Sequence, residues 1–86
     1  MTIQEMGALF QRNGVPTDYY VLDGSLGAGE CYGIEQSEGL WAVYYSERGT
    51  KNVLAQAATE DAACRRMIEY ISKSMQHRFG RPLNGD

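Results

Sequence analysis

Two turns that end in glycine fall close together in the middle of the chain: Ser37-Glu38-Gly39, and residues 46–50 with Gly49 near the end. They divide residues 31–57 into three short extended segments, and connections this short force sequential strands to pair as an antiparallel meander. Residues 31–36 alternate loosely, with Tyr32 and Ile34 opposed to Cys31, Gly33 and Glu35. Residues 40–45 are apolar on both faces, with Leu40, Ala42 and Tyr44 opposed to Trp41, Val43 and Tyr45. A strand of that kind reads as the central one. Residues 51–57 set Val53 and Ala55 on one side and Asn52, Leu54 and Gln56 on the other.

Helical patterns flank these strands. Thr2 and Glu5 have capping-box spacing, and Ile3, Met6, Leu9 and Phe10 recur on one helical face until Asn13-Gly14 and Pro16 stop it. At the other end Thr59 is a good N-cap, and Glu60 and Asp61 in the first turn complement the helix dipole. Cys64, Met67, Ile68, Ile71 and Met75 form an apolar stripe, while Arg65, Arg66, Glu69, Lys73 and Gln76 fall mostly opposite. Gly80 takes the C-cap position and Pro82 blocks continuation. Residues 17–30 read as an irregular, mobile, glycine-rich acidic loop, within which residues 19–22 could add a short fourth strand.

These elements predict one domain over residues 1–86 with an α+β fold. It is a two-layer α-β-β-β-α arrangement in which two helices cover one face of an antiparallel three-stranded sheet. The second face should then be partly exposed, showing either Trp41-Val43-Tyr45 or Leu40-Ala42-Tyr44. An uncovered sheet edge could support a homodimer.

The net charge of −3 is unevenly distributed. Asp18, Asp23, Glu30, Glu35, Glu38 and Glu47 lie between Asn13 and Glu47, a stretch without Lys or Arg. From Arg48 onward seven bases face four acids. Such asymmetry bears on partners rather than on fold. No apolar run approaches the ~18 residues of a membrane span, and the N-terminus lacks the layout of a signal peptide. The expectation is a soluble cytoplasmic protein in which Cys31 and Cys64 are buried thiols rather than a disulfide.

Most chemistry fails on inspection. Gly24 and Gly29 have P-loop spacing, but Glu30-Cys31 stands where Lys and Ser/Thr must hold phosphate and magnesium. Gly27, Gly29 and Gly33 miss the dinucleotide spacing and precede a strand instead of a helix. The single histidine, His77, falls in a last helical turn, where its simplest role is to meet the dipole. No cysteine or histidine cluster suggests a metal, and no cofactor is expected. A carboxylate hydrolase built from Asp23, Glu30, Glu35 and Glu38 would need an enclosed cleft that so short a chain can hardly form. An enzyme is therefore not expected.

Protein binding fits better. Tyrosine supplies rigid contact area with a polar tip, and carboxylates steer a basic partner. The candidate contact residues are Asp18, Asp23, Glu30, Tyr32, Glu35, Glu38 and Glu47. Charge reversal at Glu35, Glu38 and Glu47 together should weaken such binding. The helix–sheet–helix order also matches double-stranded-RNA-binding domains, although Glu60-Asp61 stands where those need bases. An RNA-binding-like module and a generic interaction adaptor remain as alternatives.

The stretch Trp41-Ala42-Val43-Tyr44-Tyr45-Ser46-Glu47-Arg48-Gly49 carries a resemblance. Its setting contributes: an amphipathic first helix, a Tyr-containing glycine-rich segment, Cys31-Tyr32-Gly33-Ile34, and Glu60-Asp61-Ala62-Ala63-Cys64 opening the last helix. Together they resemble small bacterial immunity proteins of polymorphic-toxin and contact-dependent growth-inhibition systems, over residues 3–72. The resemblance implies a cytoplasmic, non-catalytic protein that binds the C-terminal toxin domain of a secreted effector, often a nuclease, and neutralises it.

Overall fold

The computed structural model describes residues 1–27, 29–81 and 83. Helix α1 spans Ile3–Arg12 and is followed by a single 3₁₀ turn, Thr17–Tyr19. The strands are β1, Tyr20–Val21; β2, Cys31–Ser37; β3, Leu40–Glu47; and β4, Thr50–Ala57. Helix α2, Glu60–Phe79, completes an α+β fold.

Both helix starts follow from the sequence. The Thr2 hydroxyl accepts from the Glu5 amide at 3.1 Å, and the Glu5 carboxylate accepts from the Thr2 amide at 2.7 Å, closing the capping box. Thr59 caps α2 by accepting from the Ala62 amide, and Gly80 ends it in the left-handed region. The acids in the first turn of α2 also bind α1. Glu60 accepts from the Ile3 amide at 2.7 Å, satisfying one of the orphan donors of α1. Asp61 accepts from the Met1 amine at 2.6 Å and is ion-paired with Arg65.

The sheet order is β1-β2-β3-β4, with β3 central between antiparallel neighbours. Met6, Leu9 and Phe10 of α1 meet Ala63, Cys64, Met67, Ile71 and Met75 of α2 over Ile34 and Val43, forming the main core. Trp41 and Tyr32 pack at its margin. Trp41, Val43 and Tyr45 therefore face the helices, and Leu40, Ala42, Tyr44 and Ser46 line the second face.

The fourth strand is real, but it runs parallel to β2, with Tyr20 opposite Tyr32 and Val21 opposite Gly33. A parallel connection must travel back along the strands over one face of the sheet. The helices occupy one face, so residues 22–27 cross the other. That corrects the expectation of a free loop and an exposed aromatic face. Three consecutive loop carbonyls accept from side chains of the sheet: Gly24 from Lys51, Ser25 from Tyr44 and Leu26 from Ser46. Lys51 also pairs with Glu35 at 2.8 Å and lies 4.8 Å over the Tyr44 ring. Tyr44 is completely buried, whereas Leu40 at the far end of that face and Val53 on its β4 edge are exposed.

A second correction concerns β4. Val53 pairs with Tyr44 and Ala55 with Val43, so the two lie on opposite faces although they are two residues apart. An irregularity between Val43 and Tyr44 makes Leu54 the extra residue of a bulge. Val53 and Leu54 are left exposed on this edge strand.

Both hairpins turn through two residues at positive φ, Glu38-Gly39 and Arg48-Gly49. This is the geometry whose first position favours Asn. Replacing Glu38 and Arg48 by Asn should raise stability by about 0.5 kcal/mol each, read as a higher urea midpoint at constant m. An unchanged midpoint would show that the left-handed φ at these two residues carries no strain.

Candidate functional site: the acidic, tyrosine-rich end of the sheet

The seven candidate contact residues do not share one face. Glu38 lies exposed in the β2–β3 turn, at one end of the sheet. Glu35 is half-buried and tied to Lys51, so it helps hold the loop. Asp23 accepts from the Ser25 amide at 3.0 Å within the loop, and the Ser25 hydroxyl, together with that amide, lowers its carboxyl from the ordinary value. Charge reversal at Glu35 would thus break the strap across the second face, so that substitution reads folding before it reads binding.

The remaining four converge on the opposite end. Ser46 pairs with Cys31, so Glu47 and Glu30 flank the same edge of the β2–β3 pair. Asp18, in the 3₁₀ turn, and Glu30 line a cleft of about 100 Å³ with Tyr19, Tyr32, Tyr45 and Arg78. A wider hollow of about 490 Å³ adjoins it and shares Asp18, Glu30 and Cys31. Asp18 has no hydrogen-bond or ion-pair partner among the described residues and is exposed.

The aromatic side chains form a ladder on the helix side of this end. Tyr45 meets Tyr32 edge-on at 5.0 Å, and Tyr32 stacks on Tyr70 at 5.9 Å. The Arg66 guanidinium lies 5.7 Å over Tyr70. Arg78 lies 5.1 Å over Tyr19 and donates to its hydroxyl at 3.1 Å. Tyr45 donates to Glu30 Oε1 at 2.8 Å. Burial, that hydrogen bond and the nearby charges of Glu30 and Glu47 push the Tyr45 phenol up to about 12. Burial and the Glu35 charge do the same for Tyr44, also to about 12.

These shifts make alkaline stability testable. The fold favours the protonated phenols, so their contribution is complete below pH 10 and is lost as pH rises through about 12. In an ultraviolet titration of the native protein, Tyr44 and Tyr45 should ionise only well above pH 10, together with unfolding. In urea all six should ionise near pH 10. A single native transition near pH 10 would contradict this placement of the two rings.

Sequence reasoning singled out Tyr19 among the interface tyrosines but missed Tyr70, Ser74 and Arg78. The α2 residues reach this end only because the helix lies across the sheet, and no local pattern announces that. The thiols meet their expectation: Cys31 and Cys64 are free and buried. Burial raises both, Cys64 to about 11, so they are protonated and unreactive at neutral pH. No group of three or more His, Cys, Asp or Glu among the described residues could hold a metal ion, and none of the described helices is long and apolar enough to cross a membrane. His77 is exposed in the last turn of α2. No family model matches this chain, and neither a curated protein nor a solved structure matches it.

Proposed function

We propose that this chain is a cytoplasmic, non-catalytic immunity protein that neutralises the toxin domain of a secreted effector through the acidic, tyrosine-rich end of its sheet. The observation that carries the reading is the convergence of Asp18, Glu30 and Glu47 around Tyr45 and Tyr32, from three different parts of the chain. Half-buried tyrosines give contact area that loses little entropy on binding, and carboxylates around them select a basic surface. A nuclease presents such a surface because it must hold phosphates. The toxin as partner class rests on the resemblance of residues 41–49 and their setting to immunity proteins.

The RNA-binding alternative meets an obstacle at α2. Its first turn carries Glu60 and Asp61, both engaged with the start of α1, and Arg65 and Arg66 are paired with Asp61 and Glu69. Phosphate contacts need free cations there. The test starts from the neighbouring genes, one of which should encode a secreted effector, and proceeds to co-expression of this chain with that effector's C-terminal domain. The toxin domain alone should arrest growth, and this chain should restore it. Growth arrest that persists despite soluble expression of the chain would overturn the proposal.

A further inference from the structure

We infer that the cleft between the 3₁₀ turn, the start of β2 and the end of α2 is a receptor for a single arginine side chain of the protein partner. The inference rests on the reading of this end as the partner surface and names the group recognised there.

Beside the hollow of about 490 Å³, which leaves space for the partner's chain, the cleft of about 100 Å³ has room for one side chain. Its walls decide the chemistry. Tyr32 and Tyr45 present ring surface, and Asp18 and Glu30 present carboxylates on the same opening. Glu30 takes the Tyr45 hydroxyl on Oε1, which leaves Oε2 for an incoming donor. That bond also fixes the carboxylate beside the rings, so the site is organised before anything binds. An aromatic wall next to carboxylates suits a planar guanidinium, which can stack and donate in a fork at the same time. The chain's own Arg78 shows the pairing at the rim, where its guanidinium lies on Tyr19 and donates to that hydroxyl. One cation against Asp18, Glu30 and the nearby Glu47 leaves the opening net negative.

The probe is Nα-acetyl-arginine methylamide, titrated into isotopically labelled protein while the tyrosine ring resonances are followed. The lysine and citrulline analogues serve as comparisons, citrulline being the neutral isostere. The arginine probe should give saturable shifts at Tyr32 and Tyr45 with a dissociation constant on the order of millimolar. Lysine should bind more weakly and citrulline not saturably. Glu30→Gln, an exposed position, should weaken the arginine probe roughly tenfold. Equal shifts from citrulline, lysine binding as tight as arginine, no saturable shift, or shifts away from Tyr32 and Tyr45 would each overturn the inference. The probe reads the cleft alone, whereas growth rescue reads the proposed function, so the two can fail separately.

Discussion

Gly33→Ala is expected to remove a large share of the chain's stability. A Cβ at Gly33 would collide with Tyr44 Cζ and with its hydroxyl oxygen. The two residues are cross-strand partners, and the hydroxyl end of the ring lies over the glycine. The ring cannot move aside cheaply, because it is completely buried and its hydroxyl holds the Ser25 carbonyl of the crossing loop. Overpacking of this kind costs about 3 kcal/mol when no side chain can yield. A domain of this length has only ~4–13 kcal/mol in total, at ~0.05–0.15 kcal/mol per residue. Urea unfolding should show a much lower midpoint at constant m. In a Tyr44→Ala background the same substitution should cost far less, because the obstructing ring is gone, with a coupling of roughly 1–3 kcal/mol. Additive penalties would show that the Gly33–Tyr44 contact is not the cause.

The second large effect concerns binding. Reversing Asp18, Glu30 and Glu47 to Lys should raise the dissociation constant for the toxin domain at least ~100-fold at low salt. The loss combines slower association, from lost steering, with a faster off-rate, from lysines placed against a basic partner. All three side chains are exposed, and only the Tyr45–Glu30 hydrogen bond is disturbed within the fold. The thermal midpoint should therefore fall only slightly. Glu38→Lys, at the far end of the sheet, is the matched control and should stay within about threefold. Equal losses from both variants would mean that net charge alone governs association.

Local chemistry was the part of this molecule legible in sequence. Thr2, Glu5, Thr59 and Gly80 mark the helix ends because each satisfies backbone groups within a few residues of itself. The central place of β3 followed from its two apolar faces. What lay beyond reach depended on contacts distant along the chain. The parallel pairing of Tyr20 with Tyr32 sends residues 22–27 over the second face, and a string rich in Gly and Asp gives no sign of being fastened there. The bulge opposite Leu54 breaks the period-two rule that would have put Val53 and Ala55 on one face. The site shows the same limit. The acidic segment was visible as composition, but its division was not: Glu35 belongs to Lys51, Asp23 to the loop, and Glu38 to the other end. The cleft needs Arg78 beside Tyr19, a pairing set by where α2 ends over the sheet.

The most direct test of the acidic end as the partner surface is to map the backbone amides of the labelled chain that change when the effector's toxin domain is added. The account predicts changes concentrated in the 3₁₀ turn at Asp18 and Tyr19, at residues 29–32, at residues 45–47, and near Ser74 and Arg78 on α2. Changes confined to the Glu38 turn and Leu40, or to the β4 edge around Val53 and Leu54, would contradict it.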